Sequence, residues 1–532
     1  MKRCISSFSL LILLWLGAAC NFPTTTSLPN QARVQVDLQQ TLSALSDTSP
    51  LSETPAAQST PASLPAVPPS VDPTPTPAVT PVVVLPPTPT AGDPGVVYAY
   101  TARSGDTLQG LAGRFGVQPD QISSQEPIPA QGFITSGQNL QIPNVLEQVS
   151  PAVLLLPDSE LVYSPASLPF DLAGIIENAG GYLSTYQEVV DDQSLSGTEI
   201  LEKVARELSV NPLLLLGILE FRSQWAFGQP VDPTRVANPI GFYIPGRSGL
   251  YQELSITATQ LNLAYYGWRE GTFTQIKFSN GATQRLSPEL NAASAALQHL
   301  FSLLIWQPRW QETLYGEDGF AAGYQQMFGN PWERAAAVGD LFPAGLAQPE
   351  MVLPFLPGER WGLTAGPHNA WNAGTPRGAL DFSPVTSEAI CAVSRTWVTA
   401  SAPGLVLRAA DNMVVLDLDG DGYEQTGWVV LYYHLAEAGM ISPGTQVERD
   451  DPLGHPSCEG GRATGKHVHI ARKYNGEWLE ADGALPFVLS GWQAQADERN
   501  YYGFLVKGDQ MVSADPSGGR TSSIVREAEP GE

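Results

Sequence analysis

The chain has 532 residues with 28 Lys and Arg against 53 Asp and Glu, a formal charge of −25. At about 150 residues per domain, that length provides for about three modules. The acidity excludes nucleic acid as a partner, because neutralising a phosphate backbone takes clustered Lys and Arg, and its even spread reads as a solvated surface.

The first residues, "MKRCISSFSLLILLWLGAAC", join a basic start at Lys2 and Arg3 to an apolar run from about Leu10 to Leu16 and then to small residues. A bilayer span takes about 20 apolar residues, so the pattern is that of a secretory signal over residues 1–20. Gly17-Ala18-Ala19-Cys20 resembles a bacterial lipobox. That resemblance implies a lipid on Cys20 and an extracytoplasmic protein held at the bacterial membrane or envelope. Residues 21–96 are rich in Pro, Thr, Ser and Ala. Such a composition buries too little apolar surface to offset ordering the backbone, so a disordered stalk is expected.

A small module follows. Val97-Tyr98-Ala99-Tyr100 alternates as a strand does, and Ser104-Gly105 breaks it. Asp106 and Thr107 are cap candidates for a helix with Leu108, Leu111, Ala112 and Phe115 at helical spacing. A second short helix is predicted near Pro119 to Gln125, and "SGQNLQIPN" closes with a strand. This βααβ order, with "SGDTL" at the first turn and "SGQNLQIP" at the end, resembles the LysM domain over residues 97–144. The resemblance implies binding to N-acetylglucosamine-containing glycan such as peptidoglycan, although Glu126-Pro127 stands where that family often has Asn-Pro.

Residues 151–345 read as a mostly α-helical domain of unknown role. "SGTEILEKVARELSV" places Ile200, Leu201, Val204, Ala205 and Leu208 on one stripe, with Thr198 as a cap candidate. "NPLLLLGILEFRSQW" is apolar all round and predicts a buried helix begun by Pro212. Glu220 at its end is a candidate general acid, since an apolar setting raises a carboxyl pKa. The local pattern is faintly similar to the glutamate helix of lysozyme-like lytic transglycosylases, but Phe221-Arg222 precede Ser223 where that family follows Glu directly with Ser. Pairing of Glu220 with Arg222 or with a more distant base is the main reading, and catalysis the lesser one. His299, in "AALQHLFSLL", reads as a satisfied helix histidine.

From about 352 to 495 short runs of Val, Leu, Tyr and Trp are separated by Gly, Pro, Asp and Asn, the texture of antiparallel strands and tight turns. In the strand-like "GKHVHIARK", residues two apart share a face, so His467 and His469 project together while Val468 turns into packing. His434 ends "WVVLYYH", and His368 precedes Asp381 by thirteen positions. Catalytic zinc commonly takes three imidazole or carboxylate ligands and leaves a fourth position open. His368, Asp381 and one histidine of the pair make such a set, with two histidines left to handle protons.

"GPHNAW…LDFSP", "YYHL" and "GKHVHIA" together resemble the lysostaphin and β-lytic type of zinc peptidoglycan endopeptidases. Many members place the first ligand four residues before the Asp; here Arg377 stands there, and the wider spacing is similar to the β-lytic branch. The resemblance implies His368, Asp381 and His469 as zinc ligands, His467 as general base and His434 as donor to the oxyanion. Zn2+ polarises a carbonyl and acidifies water toward a pKa of about 7, and the implied substrate is a stem or cross-bridge peptide of the cell wall.

With Cys20 lipidated, Cys391 and Cys458 remain to pair in an oxidising compartment. Asp417, Asp419 and Asp421 are spaced as in half of a calcium loop, but position twelve is Trp428 rather than Glu, so a polar hairpin turn is the main reading and calcium the lesser one. Residues 506–532 read as a disordered tail. The expected architecture is therefore multidomain: a lipoprotein stalk, a LysM-like module, a helical domain and an antiparallel all-β zinc peptidase. A non-catalytic peptidoglycan-binding scaffold, and glycan cleavage through Glu220, are the rival functions.

Overall fold

In the computed structural model, residues 97–230 and 232–528 are described. The signal, Cys20 and the stalk lie outside the described residues. Among those described, no helix is long and apolar enough to cross a membrane.

In the first module Val97–Thr101 pairs along its whole length with Asn139–Pro143, and Ser123–Ser124 adds to the other edge of the latter. Helix Leu108–Phe115 starts where Thr107 Oγ1 accepts the Gly110 N–H, and it stops at Gly116, whose φ of 70° is the left-handed conformation a helix end favours. Asp106, the other cap candidate, is instead buried in an ion pair with Arg114 and receives the Tyr100 hydroxyl at 2.8 Å. The second predicted helix is only a 3-10 turn, Pro119–Gln121, because Ile122 drops into the core and the next two residues join the sheet.

The middle region packs helices Gly197–Leu208, Pro212–Ser223, Leu250–Arg269 and Ala292–Leu304 with shorter helices at Gln307–Tyr315, Phe320–Phe328 and Pro331–Val338. The cap of Gly197–Leu208 is Ser196 rather than Thr198. Its hydroxyl accepts the Glu199 N–H while the Glu199 carboxylate receives the Ser196 N–H at 2.7 Å, so two otherwise orphaned donors are satisfied reciprocally. Helix Pro212–Ser223 is buried, with Leu214, Leu215, Leu216, Ile218 and Leu219 all at 0% exposure.

The C-terminal region is a nine-stranded antiparallel sheet. Its main path runs Gln446–Val447, Gly404–Ala410, Met413–Asp417, Trp428–Tyr433, Val468–Tyr474, Ala379–Pro384, Arg360–His368, Ser523–Val525, with Glu477–Trp478 paired off Val468–Tyr474. Alternation divides this sheet into two faces. Val468, Ile470, Tyr432 and Phe382 enter one core, closed by a smaller sheet of Val488–Leu489, Trp492–Ala496, Gly503–Lys507 and Gln510–Ser513. Ala471, Leu431, Val429, Val415 and Met413 enter the other, which they share with the helices. His469, two residues before Ala471, therefore looks toward the helical side.

One side chain ties all three regions. The Arg269 guanidinium donates to Ser104 O at 2.7 Å and lies 3.2 Å from Asp158 Oδ2 and 3.1 Å from Glu477 Oε1. Around it Phe133 stacks on Phe342 at 4.5 Å, and Ser209 Oγ donates to Gly476 O at 2.7 Å.

The predicted disordered tail is corrected by the structure. Gln510–Ser513 pairs with Gly503–Lys507, and Ser523–Val525 forms the edge strand beside Arg360–His368. Arg526 is 1% exposed and bonds the Asp450 carboxylate and, at 3.1 Å, Phe355 O. A polar segment is ordered here because it borrows a sheet edge and needs little core of its own; residues 529–532 lie outside the described residues. Removing the cation in Arg526→Ala leaves Asp450 without its partner and the edge strand unclamped. We expect a loss of about 3 kcal/mol, the lower end for a broken buried pair because Asp450 is partly exposed, measured as a lower midpoint of chemical unfolding.

Candidate metal centre

Strand register builds the centre. His469 sits directly opposite Asp381 on one neighbouring strand and opposite Tyr433 on the other. His368 comes from the end of Arg360–His368, where register shifts between Leu363 and Ala365 and again between Ala365 and His368 bring it opposite Ala379. Such irregularities re-aim side chains at a sheet's edge, and here they carry the imidazole to Asp381. His368 Nε2 lies 3.3 Å and His469 Nδ1 3.2 Å from the same oxygen, Asp381 Oδ1, and the two nitrogens are 3.1 Å apart.

The outward nitrogens fix the tautomers. His368 Nδ1 is 2.9 Å from Gly366 O and His469 Nε2 is 3.0 Å from Ala370 O. Carbonyl oxygens only accept, so each ring's N–H belongs there and each inward nitrogen presents a lone pair. Two lone pairs 3.1 Å apart do not bond each other, and the buried Asp381 Oδ1 has no hydrogen-bond partner. The three ligand atoms lie within 4.8 Å of one another, an acceptor-only set that fits a divalent cation such as zinc. Burial opposes the charge on Asp381; positive charge on the His368 and His467 rings, when they are protonated, outweighs it and lowers the carboxyl well below its usual range, and with both rings neutral that compensation falls to a bound cation.

His467 and His434 flank this set. His467 Nδ1 is 2.8 Å from Gly465 O, which turns Nε2 inward, 3.6 Å from Asp381 Oδ2. His434 follows the last residue of its strand and by alternation belongs on the far face. Its left-handed φ of 64° turns it back, so that its ring lies 4.4 Å from that of His467. His434 Nδ1 is 3.0 Å from Glu459 O, which leaves the lone pair on Nε2, and burial lowers its pKa to about 3. His434 is therefore neutral at rest and accepts there; it donates from Nε2 only after gaining a proton. Cys391 and Cys458 are joined by a disulfide, which anchors the loop beginning at Cys458 and hence the Glu459 carbonyl.

These side chains open into a cavity of about 1360 Å³ between sheet and helical region. Asp191, Lys203 and Glu207 line it from the helical side, Arg377, Tyr433 and Tyr501 from the other. Sequence reasoning missed Tyr501, whose ring stacks 4.6 Å from that of His368. It stands beyond residue 495, where the β domain was expected to stop, and carries no motif. Trp371, packed at 4.9 Å against Tyr433, closes the signature "GPHNAW" but was given no role, because nothing in its spacing set it apart.

Two other candidates stand apart. Glu220 Oε2 accepts the N–H groups of Ala226 at 2.8 Å and Phe227 at 3.0 Å, while Arg222 bonds Ile240 O rather than Glu220. This carboxylate fastens a turn. His299 is buried with Nε2 2.9 Å from Gln260 Oε1. Asp417, Asp419 and Asp421 do cluster, but in a turn between two strands where Asp417 takes backbone N–H groups on both oxygens. Burial and the neighbouring carboxylates push Asp419 up to about 7.

Comparison with known proteins adds a relationship to this geometry. Residues 154–342 match the family model described as "LasA, N-terminal domain". The chain is 28% identical over 386 residues to protease LasA of Pseudomonas aeruginosa, covering 68% of this chain and 83% of that one. It is also 28% identical over 202 residues to β-lytic metalloendopeptidase of Achromobacter lyticus, covering 37% of this chain and 48% of the other. Among solved structures, the M23 metalloprotease pseudoalterin aligns with a TM-score of 0.27 at 22% identity, over 32% of this chain and 96% of that one. The catalytic domain of lysostaphin from Staphylococcus simulans aligns with a TM-score of 0.17 at 22% identity, over 23% and 89%. The chain is a homologue of LasA and of β-lytic metalloendopeptidase, and this homology indicates a metalloendopeptidase.

Replacing both cysteines, Cys391→Ser with Cys458→Ser, frees a loop whose ends are 67 positions apart. Chain entropy alone sets the expected destabilisation at about 4 kcal/mol, to be read by calorimetry on the non-reduced protein.

Proposed function

We propose that the chain is a zinc-dependent peptidoglycan hydrolase that cuts stem or cross-bridge peptides, held outside the cytoplasm by a lipid on Cys20 and aided at the wall by its LysM-like module. The observation that carries the reading is the inward convergence of lone pairs from His368 and His469 on Asp381 Oδ1. His368, Asp381 and His469 are the proposed metal ligands. When bound, zinc supplies a Lewis acid for the scissile carbonyl and makes water a nucleophile near neutral pH.

The remaining steps belong to side chains. His467, with its Nε2 lone pair turned inward, takes the proton of the attacking water, and the nearby Asp381 carboxylate favours the imidazolium that results. His434 starts neutral. As negative charge grows on the carbonyl oxygen, the single proton that His467 has taken from water is relayed to the adjacent His434 Nε2, which donates a hydrogen bond to that oxygen and then returns the proton, so the two rings are never charged together. The proton on His467 then passes to the departing amine. Tyr501 and Trp371 bound the cavity that receives the peptide. Glu220, committed to two backbone amides, is not proposed as a catalytic acid.

The test is digestion of purified peptidoglycan with identification of the ends released. Wild type is expected to hold about one zinc per chain and to free amino groups without reducing sugars. Both activity and bound zinc should be lost in His469→Ala or after chelation. His467→Ala should keep its metal and lose about 10²- to 10⁴-fold in kcat, the usual scale of a general base. Release of reducing sugar, or full activity in His469→Ala, would overturn the proposal.

A further inference from the structure

The loop 369–378, between His368 and strand Ala379–Pro384, has its back to the helical region. It winds around Asn372. The Asn372 carbonyl accepts from Thr375 N at 3.0 Å, Thr375 Oγ1 at 2.8 Å and Asn369 Nδ2 at 2.9 Å, and Asn372 Oδ1 accepts the Gly374 N–H at 3.2 Å. The side-chain Nδ2 leaves the loop and donates to Thr259 Oγ1 at 3.0 Å, on helix Leu250–Arg269. Gly374 lies against the same helix: a Cβ there would stand 2.5 Å from Thr259 O and 3.1 Å from Leu263 N, so the approach admits only glycine. Thr259 is 1% exposed, and its hydroxyl passes a hydrogen bond on to Ser255 O at 2.8 Å.

The loop's other end holds His469. Ala370 O is the carbonyl 3.0 Å from His469 Nε2. Ala370 is fully buried in the core that sheet and helices share, and its N–H is held by Pro376 O at 2.8 Å. The loop is thus clasped by the helix at Asn372 and Gly374 and orients His469 at Ala370, two residues away from the clasp.

We infer that helix Leu250–Arg269 is a positioning element of the metal centre. Through Thr259 and the close approach at Gly374 it seats the loop whose Ala370 carbonyl keeps His469 Nδ1 aimed inward. The inference rests on the metal-site reading above. The helical region is then a working part of the centre as well as one wall of the cavity, and neither Thr259 nor Gly374 touches metal or substrate. Outer partners of this kind commonly change metal affinity about 10- to 100-fold when removed.

The experiment uses the full chain and zinc alone, with affinity read by competition against a chromophoric chelator and ligand geometry by the visible spectrum after cobalt substitution. Thr259→Val, which keeps shape but removes the acceptor for Asn372, and Gly374→Ala are each expected to weaken zinc about 10-fold or more and to alter the cobalt spectrum. Thr259→Ser, which keeps the hydroxyl, should restore wild-type values. Wild-type affinity and spectrum in both Thr259→Val and Gly374→Ala overturn this inference while leaving the metal site intact. A wild-type chain that binds no zinc overturns the metal-site reading and this inference with it.

Discussion

The cross-strand pair of His469 and Asp381 is the constraint on which the rest depends. A strand's side chains alternate, so a slip of one position would move His469 to the opposite face and leave an apolar neighbour facing the cavity. The register is protected on both sides. Val468 and Ile470 are fully buried in one core and Ala471 in the other, so slipping the strand would expose apolar surface and bury polar groups at once. The metal-ligand geometry is thus held by hydrophobic packing, with the carbonyls of Gly366 and Ala370 supplying the final orientation.

The same alternation explains the architecture. Because the face bearing His469 continues into Ala471, Leu431 and Val429, it must be covered by something apolar, and the helices cover it. They leave open the part above the histidines, and that opening is the cavity. The Arg269 cluster reinforces the union with a buried cation shared by the small module, the helical region and Glu477 of the sheet. A buried cation whose acceptors come from all three regions is costly to separate from any one of them, which favours a fixed relation among the three.

Much of this was legible in the residues themselves. The period-two pattern of "GKHVHIARK" placed two histidines on one face, and the apolar stripes of Gly197–Leu208 and Pro212–Ser223 marked buried helices. Other features had no local signal. The distance from His368 to Asp381 depends on two irregularities in strand pairing, and His434 reaches the site through one left-handed residue that any strand pattern assigns to the wrong face. An apolar stripe says that a helix is buried without saying against what, so the contact of helix Leu250–Arg269 with loop 369–378 could not be read. The tail misled because composition reports the capacity to form a core, and Ser523–Val525 needs only a neighbour's edge.

That edge strand also bears on how the molecule is assembled. Arg360 faces Val525 across this strand pair, 165 positions away, so the pairing closes one of the longest loops in the sheet and is expected late in folding. Until then Arg360–His368 presents unpaired amides and carbonyls, the kind of surface on which chains aggregate. The irregular pairing that delivers His368 also interrupts the ladder of that exposed strand, and Arg360 places a charge at its start. The feature that shapes the chemistry therefore doubles as protection against misassociation while the protein is still incomplete.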